Sequence, residues 1–400
     1  MPVGVVTHSL GGMGTARVIF LAGVVSAVAC SGTQGPTRTV GALGIACRRG
    51  RGLSGPLPVC SPERPCPTAR VWSDSRLVRQ ALQSPGAAPE CHTTQPLRPF
   101  FDDGAAEVWR DPSGVPRWSC VHRPPSPLPG ASVSATSLPL VVWLHGAFGA
   151  ATAVYDFTSL PGRSRGFDLT GDPARPGFVL ASVQARNLHW PNGRADGAHF
   201  DHYYRTVSRN ADVAHVDHVI DALTAGGGID PGRIYVMGWS NGAVFAQMYA
   251  IARHEAPTAG GNRVAAVAVY AAGDPYENVS DGQTPSCGLA LYPRSSVPVY
   301  VLQRACDAAT TCDPAQRADF GAPPGYDVQT WVRRLQMDVG DEAVTLQLID
   351  GRGAPVNACA LDCTLPEGLR NHLHWPDGVA DVGGHDWEPA MLGFLRDHPL

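Results

Sequence analysis

The sequence predicts an α/β domain with a mainly parallel central sheet flanked by helices, and two observations carry this prediction. Short, continuous apolar runs recur from about residue 100 onwards, as expected of parallel strands that are covered on both faces. Segments with a helical spacing of apolar residues lie between these runs, and such alternation predicts a parallel sheet with right-handed crossovers. The composition agrees, because 44% of the 400 residues are hydrophobic and only 16% are charged, which is typical of a packed globular protein.

The predicted elements follow one another in a strand–helix alternation. An early strand, Trp118–Arg123, is stopped by Pro124 and Pro125, because proline removes a backbone donor. The fully apolar strands are Leu138–Leu144, Phe178–Val183, Ile234–Met237 and Val297–Leu302. The predicted helices are Asn210–Leu223, Asn241–Arg253 and a terminal one at Ala390–Arg396.

The N-terminus predicts export from the cell. Arg17 precedes a twelve-residue apolar run, Val18–Ala29, which is too short to span a bilayer but fits the hydrophobic region of a secretory signal. Cys30 follows this run, so residues 1–30 resemble a lipoprotein signal peptide, with Met13 as an alternative start. We expect lipidation at Cys30 and an anchor in the cell envelope as the only membrane contact. Plain secretion, with Cys30 merely near the cleavage site, is the alternative.

Residues 31–95 are rich in Gly, Pro and Cys without sustained periodicity, so we expect a linker or a small cap before a catalytic domain at residues 96–400.

The number of cysteines also favours export, into an oxidising compartment. The chain has 11 cysteines, and lipidation of Cys30 would leave an even number to pair under oxidising conditions. Short spacing favours local disulfides, although it does not determine the connectivity. The candidate pairs are Cys60–Cys66, Cys306–Cys312 and Cys359–Cys363.

The sequence G-x-S-x-G at residues 238–242 is the main chemical motif. A predicted strand runs into it and a predicted helix follows it, which is the context of a nucleophile elbow in the α/β-hydrolase fold. Glycines two residues before and after Ser240 allow the strained turn, and the N-terminus of the helix supports negative charge on a substrate oxygen. The motif therefore predicts that Ser240 is a nucleophile.

A second backbone donor is needed to complete an oxyanion hole. The strand that ends at Leu144 leads directly into residues 145–149, whose small side chains let the backbone approach a substrate. We expect the N–H groups of Ala147 and Asn241 to form the hole, with His145 and Trp239 lining the substrate site. An ordinary Gly-rich turn is the alternative for this loop.

The order of the triad in this fold, Ser then acid then His, restricts the other two residues. Asp307 follows the apolar strand Val297–Leu302 and is the predicted acid, with Asp274 and Asp313 as weaker candidates.

Four histidines lie downstream of the predicted acid: His372, His374, His385 and His398. We predict His385 as the base, because a Gly-Gly loop delivers it just before the terminal helix. His398 is two residues from the end of the sequence, where side chains are often mobile.

Three phrases carry a resemblance to a known family. They are residues 229–243, Leu-His-Gly at residues 144–146, and Gly-Gly-His-Asp-Trp at residues 383–387. These phrases resemble the polyhydroxybutyrate depolymerase and feruloyl esterase family of secreted bacterial esterases. The resemblance covers roughly residues 105–400. The resemblance implies an α/β-hydrolase fold with Ser240, Asp307 and His385 as nucleophile, acid and base. Gln303-Arg304 departs from the family, whose members tend to have His-Gly at this point.

Two segments of the sequence, residues 188–196 and 373–381, nearly repeat each other. Trp190 and Trp375 hold equivalent places in them and are candidate apolar walls of the substrate site. Two unrelated turns with similar sequences are the alternative.

The predicted function is that of an exported serine carboxylic ester hydrolase. The resemblance implies hydroxyalkanoate oligoesters, or acetyl and feruloyl esters, as substrates. An exported serine peptidase and an inactive surface-binding lipoprotein are the alternatives. The chemistry requires no cofactor, and the net charge of −4 argues against a nucleic acid partner.

A zinc site is an alternative interpretation of five residues in one region, although histidines that are solvated or buried in the core are commoner than zinc ligands. These residues are His199, Asp201, His202, His215 and His218.

Overall fold

The structure is a computed structural model, and it describes twelve stretches of the chain. These are residues 91–92, 104–111, 114, 116–124, 137–185, 187–189, 195–202, 210–254, 263–275, 297–313, 327–379 and 384–400. The predicted signal peptide with Cys30, the pair Cys60–Cys66 and the side chain of Trp190 lie outside the described residues.

A nine-stranded mixed sheet organises the described residues. The strands are β1 (Ala105–Arg110), β2 (Pro116–His122), β3 (Leu138–Leu144), β4 (Val179–Val183), β7 (Ile229–Trp239), β8 (Ala266–Tyr270), β9 (Val299–Arg304), β10 (Val344–Ile349) and β11 (Pro355–Val356). Their order in the sheet is β1-β2-β4-β3-β7-β8-β9-β10-β11. Strands β5 (Asn187–His189) and β6 (Ala195–Ala198) form a separate two-stranded sheet.

The centre of the large sheet is parallel and its edges are antiparallel. Strands β4, β3, β7, β8, β9 and β10 run in one direction, whereas β2 runs against both β1 and β4, and β11 runs against β10. This order and direction are those of the α/β-hydrolase fold, as the sequence predicts. The carboxyl ends of the parallel strands meet at one edge of the sheet, which is where ligands bind in open α/β sheets.

The fully apolar strands are covered on both faces. In β3, the side chains of Leu140, Val142 and Leu144 pack into one buried cluster, and those of Val141 and Trp143 pack into another on the opposite face. Successive side chains of a strand point to opposite faces, so an uninterrupted apolar run is what a central strand needs.

Helices cover the two faces. The helices are α1 (Ala153–Phe157), α2 (Leu160–Arg163), α3 (Ala211–Ala225), α4 (Asn241–His254), α5 (Val328–Val339), α6 (Leu365–His372) and α7 (Glu388–Asp397). Helices α3, α4 and α5 contribute to the first cluster, and α1, α2 and α7 contribute to the second. The predicted start of α3 at Asn210 is its N-cap, whose side chain accepts hydrogen bonds from two backbone N–H groups of the first turn.

The disulfides contradict the predicted local pairs. Cys306 is bonded to Cys363 and Cys312 to Cys359, across 57 and 47 residues of sequence. The predicted pairs Cys306–Cys312 and Cys359–Cys363 are therefore wrong. The two segments lie side by side beyond β9 and β10, and bonding between them replaces bonding within each.

A further disulfide joins Cys91 to Cys120 of β2. Cys91 is buried, although it falls in the predicted linker at residues 31–95. Its backbone O accepts a hydrogen bond of 2.8 Å from the N–H of Gly104. The end of that segment is thus bound to the edge of the large sheet.

None of the helices in the described part of the chain combines the length and the apolar character needed to cross a membrane.

Candidate active site

Ser240 lies in a sharp turn between β7 and α4. Its φ of 55° is in the left-handed region, which costs a residue other than glycine roughly 1–2 kcal/mol. The register between β3 and β7 pairs Leu144 with Gly238, so both strands end together and the loop after β3 lies beside the turn. This is the strained elbow that the G-x-S-x-G motif predicts.

The two glycines of the motif are required by the close approach of backbone on either side. A Cβ at Gly238 would overlap the backbone of Gly242, and a Cβ at Gly242 would overlap the carbonyl groups of Leu144 and His145. The motif therefore reflects packing of the helix against two strands.

A hydrogen-bonded chain connects Ser240, His372 and Asp307. The Ser240 Oγ lies 2.7 Å from Nε2 of His372. On the other side of the ring, Nδ1 of His372 lies 3.1 Å from Oδ1 and 3.0 Å from Oδ2 of Asp307. An Nδ1–H that donates to the carboxylate leaves Nε2 as the acceptor for the serine hydroxyl, which is the arrangement of a catalytic triad.

The carboxylate of Asp307 is buried and held by its own loop. Its Oδ1 accepts hydrogen bonds from the N–H groups of Ala309 (2.9 Å) and Thr310 (2.8 Å). The loop follows β9, as the sequence predicts, and Asp307 rather than Asp274 or Asp313 contacts the histidine.

The base position contradicts the sequence prediction. His385 is exposed, close to the start of α7, whereas His372 is buried at the end of α6 and contacts Ser240. The physical reason is the disulfide between Cys306 and Cys363, which brings the segment containing α6 to the acid loop. Leu369 of α6 packs on Ala308, next to Asp307.

His372 is one of the four downstream histidines, but the sequence around it lacks the Gly-Gly loop that favours His385. Both residues follow β10, so their order along the chain does not separate them. The pairing of Cys306 with Cys363 distinguishes them, but it is a tertiary feature that the sequence leaves open.

Buried hydrogen bonds fix the end of α6. The indole Nε1 of Trp239 donates to the carbonyl of His372 at 2.9 Å, and the hydroxyl of Tyr270 donates to the carbonyl of Asn371 at 2.7 Å. The Nε of Arg304 donates in turn to the Tyr270 hydroxyl at 2.9 Å. Arg304 belongs to the Gln-Arg pair that departs from the resembled family, and here it supports the backbone that carries His372.

The loop after β3 approaches the nucleophile. A Cβ placed on Gly146 would lie 3.4 Å from Cβ of Ser240, so the predicted donor Ala147 is in the loop beside the hydroxyl. Asn241 is the first residue of α4, and its N–H therefore has no partner within the helix. This geometry accommodates the two donors that the sequence predicts.

The side chain of Asn241 has a structural role besides that backbone group. Its Oδ1 accepts a hydrogen bond from the N–H of Phe200 (2.7 Å), and its Nδ2 donates to the carbonyl of Phe200 (3.1 Å) and to Nδ1 of His202 (3.1 Å). The amide therefore fastens residues 200–202 to the elbow.

His145 holds the loop after β3 in place through buried hydrogen bonds and does not line the substrate site. It is buried, its Nδ1–H donates to the carbonyl of Gly146 at 2.7 Å, and its Nε2 accepts from the N–H of Ala185 at 3.1 Å. Burial lowers the pKa of His145 to about 4, because the interior disfavours the charged ring. The neutral ring connects the loop to the end of β4, and its predicted substrate contact is wrong.

The predicted aromatic walls are also placed differently. Trp375 is 1% exposed, packs edge-on against Trp143, Trp239 and Tyr270, and donates a hydrogen bond from Nε1 to Glu388 at 2.8 Å. A side chain this deeply buried belongs to the core and offers no face to a substrate. Trp239 is mostly buried as well, between Trp375 and Phe157.

The near-repeat has different structures in its two copies. Residues of the first copy form the β5–β6 pair, whereas the second copy begins after α6 and makes an isolated bridge from Asp377 to Asp386. The sequence similarity therefore does not reflect a shared structural unit.

The histidines considered for a metal site lie in separate contacts. His199 packs on Phe148, and His215 and His218 stack on Trp109. Within the stretches that the structure describes, no group of three or more His, Cys, Asp or Glu side chains is arranged to hold a metal ion.

No protein-family model matches the chain, and no curated protein sequence matches it. Solved structures are similar at low identity, three of them as follows. A thermostable esterase has 18% identity and a TM-score of 0.41, and the match covers 75% of this chain and 64% of that one. A 2,6-dihydroxy-pseudo-oxynicotine hydrolase has 15% identity and a TM-score of 0.42, with 74% and 68% covered. A hyperthermophilic esterase from the archaeon Pyrobaculum calidifontis has 16% identity and a TM-score of 0.38, with 64% and 77% covered.

The chain thus spans less than two thirds of the length of that thermostable esterase. These neighbours are esterases and hydrolases. Because their TM-scores are low, the assignment of the fold is based on the strand order given above. The resemblance to polyhydroxybutyrate depolymerases and feruloyl esterases stays a prediction.

Proposed function

We propose that the protein is a serine carboxylic ester hydrolase with Ser240 as nucleophile, His372 as base and Asp307 as acid. The observation that carries the proposal is the 2.7 Å contact from Ser240 Oγ to His372 Nε2, with Asp307 on the opposite ring nitrogen. A nucleophile beside a base that is itself oriented by a third group is the diagnostic arrangement for acyl transfer.

The mechanism has two half-reactions. His372 takes the proton of Ser240 as the oxygen attacks the ester carbonyl, and the N–H groups of Ala147 and Asn241 hold the resulting oxyanion. The imidazolium then gives its proton to the leaving alcohol. Asp307 keeps the ring in the tautomer that accepts from serine and stabilises its charged form. A water molecule repeats these steps on the acyl-enzyme and regenerates Ser240.

The proposed substrate class and cellular location are based on the sequence resemblance and on the disulfides. The resembled family supports hydroxyalkanoate oligoesters, or acetyl and feruloyl esters, as substrates. Disulfides persist in oxidising compartments, and the three among the described residues support an exported protein. Its form is either anchored through Cys30 or secreted.

The test compares the two competing histidines in purified protein. We expect His372→Ala and Ser240→Ala each to lower kcat for p-nitrophenyl butyrate by about 10³-fold or more, because both belong to one proton-transfer unit. His385→Ala, the matched control, should stay within about twofold of the wild type.

Labelling with a fluorophosphonate probe provides the second measurement. The wild type and His385→Ala should be labelled, and Ser240→Ala should not. Circular dichroism and thermal unfolding check that each variant is folded. Equal losses in the two histidine variants, or full activity in His372→Ala, would contradict the assignment. An unlabelled, folded wild type would indicate an inactive protein.

A further inference from the structure

An exposed aromatic ring packs against the residue that precedes the nucleophile. Phe157, the last residue of α1, is 41% exposed, although a large aromatic side chain gains stability from burial. Its ring centroid lies 5.6 Å from that of Trp239, the residue before Ser240. An apolar surface that is open to solvent therefore adjoins the residue pair that carries the reacting hydroxyl.

The chain around Phe157 is held in place by hydrogen bonds. The Thr158 Oγ1 donates to the carbonyl of Val154 at 2.6 Å. The N–H of Ser159 donates to Oε1 of Glu388 at 2.8 Å, and its Oγ donates to Oδ2 of Asp377 at 3.2 Å. Because the backbone is fixed, the ring is preorganised, and a preorganised contact costs less conformational entropy on binding.

A second exposed apolar side chain lies near the same anchor. Val379 is 57% exposed, and its N–H donates to Oδ1 of Asp377 at 3.1 Å. The carboxylate that binds Ser159, two residues after Phe157, thus also binds the residue after Gly378.

The connection through Trp239 to His372 assigns Phe157 to one side of the reaction. Trp239, which contacts Phe157, donates its indole N–H to the carbonyl of His372. The imidazolium must give its proton to the oxygen of the leaving alcohol, so the alcohol part of the ester lies on the side of the imidazole. The acyl part extends away from it.

We propose that Phe157 is the specificity-determining contact for the alcohol part of the substrate, and that this alcohol is apolar, an alkyl or aryl group that packs on the ring. The proposal rests on the ester-hydrolase function proposed above. Between the two substrate classes given there, it favours hydroxyalkanoate esters, whose alcohol part carries alkyl groups, over esters of sugars.

The experiment varies the alcohol and the acyl group separately. The alcohol pair is benzyl acetate and ethylene glycol monoacetate, and the acyl pair is ethyl acetate and ethyl phenylacetate. For Phe157→Ala we expect kcat/KM to fall about tenfold for benzyl acetate and less than twofold for the other three esters. Phe157→Leu should recover most of the loss, because it restores an apolar side chain. Met337→Ala, an exposed apolar position on α5, is the control.

Two results would overturn the proposal: an equal fall for all four esters, which indicates a structural role, or a fall confined to ethyl phenylacetate, which places the ring on the acyl side. A wild type that hydrolyses none of the esters would refute the ester-hydrolase function instead. In that case the contact is tested by binding of benzyl alcohol, followed through the NMR signal of the Trp239 indole N–H. A shift in the wild type that is lost in Phe157→Ala supports the contact, and no shift in the wild type refutes it.

Discussion

At the scale of a single residue, Glu388 shows how burial changes an ionisation. Its carboxylate is fully buried at the start of α7 and accepts hydrogen bonds from the N–H of Ser159 (2.8 Å), Nε of Arg163 (2.7 Å) and Nε1 of Trp375 (2.8 Å). Burial, followed by the charge of Asp377, raises the pKa of Glu388 to about 7, and Arg163 opposes this rise. The loss of hydration thus exceeds the gain from the ion pair.

The raised pKa predicts a pH dependence of stability. The folded state binds a proton that the unfolded state releases near pH 4.5, so the contribution of Glu388 is fully present below pH 4.5 and is lost as the pH rises through 7. The loss amounts to a few kcal/mol in the free energy of unfolding. Urea unfolding of the wild type and Glu388→Gln between pH 4.5 and 8 measures it, and the variant should show a flatter profile.

Glu342→Gln supplies the control for this measurement, because Glu342 is exposed and its neutralisation should leave the profile unchanged. Identical slopes for the wild type and Glu388→Gln would show that another group dominates the dependence.

At the scale of elements, α6 is joined covalently to the acid loop. The disulfide from Cys306 to Cys363 connects the residue before Asp307 with the residue before the N-cap of α6. A cross-link over 57 residues removes much chain entropy from the unfolded state, about 2–4 kcal/mol. We expect the same bond to help keep His372 and Asp307 within hydrogen-bond distance.

Removal of this disulfide should therefore affect both stability and catalysis. We expect Cys306→Ser combined with Cys363→Ser to lower the free energy of unfolding by about 2–4 kcal/mol and kcat by about tenfold or more, because a misplaced base transfers protons poorly. Chemical denaturation and ester hydrolysis at a temperature where the variant is folded measure the two effects.

Cys91→Ser combined with Cys120→Ser is the matched control, since that disulfide lies at the β1–β2 edge of the sheet. It should lose stability and keep kcat. A normal kcat in the Cys306 and Cys363 variant would show that noncovalent packing alone positions α6.

Strands with strong local signals could be predicted from the sequence, and elements set by tertiary contacts could not. The strand at Leu138–Leu144 has the predicted bounds, because its apolar run has polar or turn residues on both sides. Strand β10 is buried only at its two ends, with three partly or fully exposed residues between them, and α6 is short, with Pro and Gly within it. Such elements gain their stability from neighbours that are distant in sequence, and local periodicity does not indicate them.

The candidate site divides in the same way. Ser240 could be located because the elbow needs its glycines at fixed spacing, and Asp307 because it follows an apolar strand. The base could not be located from the sequence, because the disulfide that brings His372 to the acid loop is a tertiary feature.

At the scale of the whole molecule, the sequence also predicts how the chain is processed. We expect a mature protein that begins at a diacylated Cys30, because a short apolar run ends directly before this cysteine. Mass spectrometry of the membrane fraction from an expressing bacterium measures the N-terminus. A Cys30→Ser variant should move to the soluble exported fraction. Recovery of the wild type there with an unmodified Cys30 would leave secretion in place and remove the anchor.

We expect the link from Cys306 to Cys363 to form after the sheet and to complete the catalytic site. The elbow forms where α4 packs against β3 and β7, whereas Asp307 and His372 come from segments that a disulfide joins. Thiol pairing takes seconds to hours, whereas secondary structure forms in microseconds. We therefore expect a newly made chain to pass through a folded but inactive period, whose length depends on the supply of oxidant.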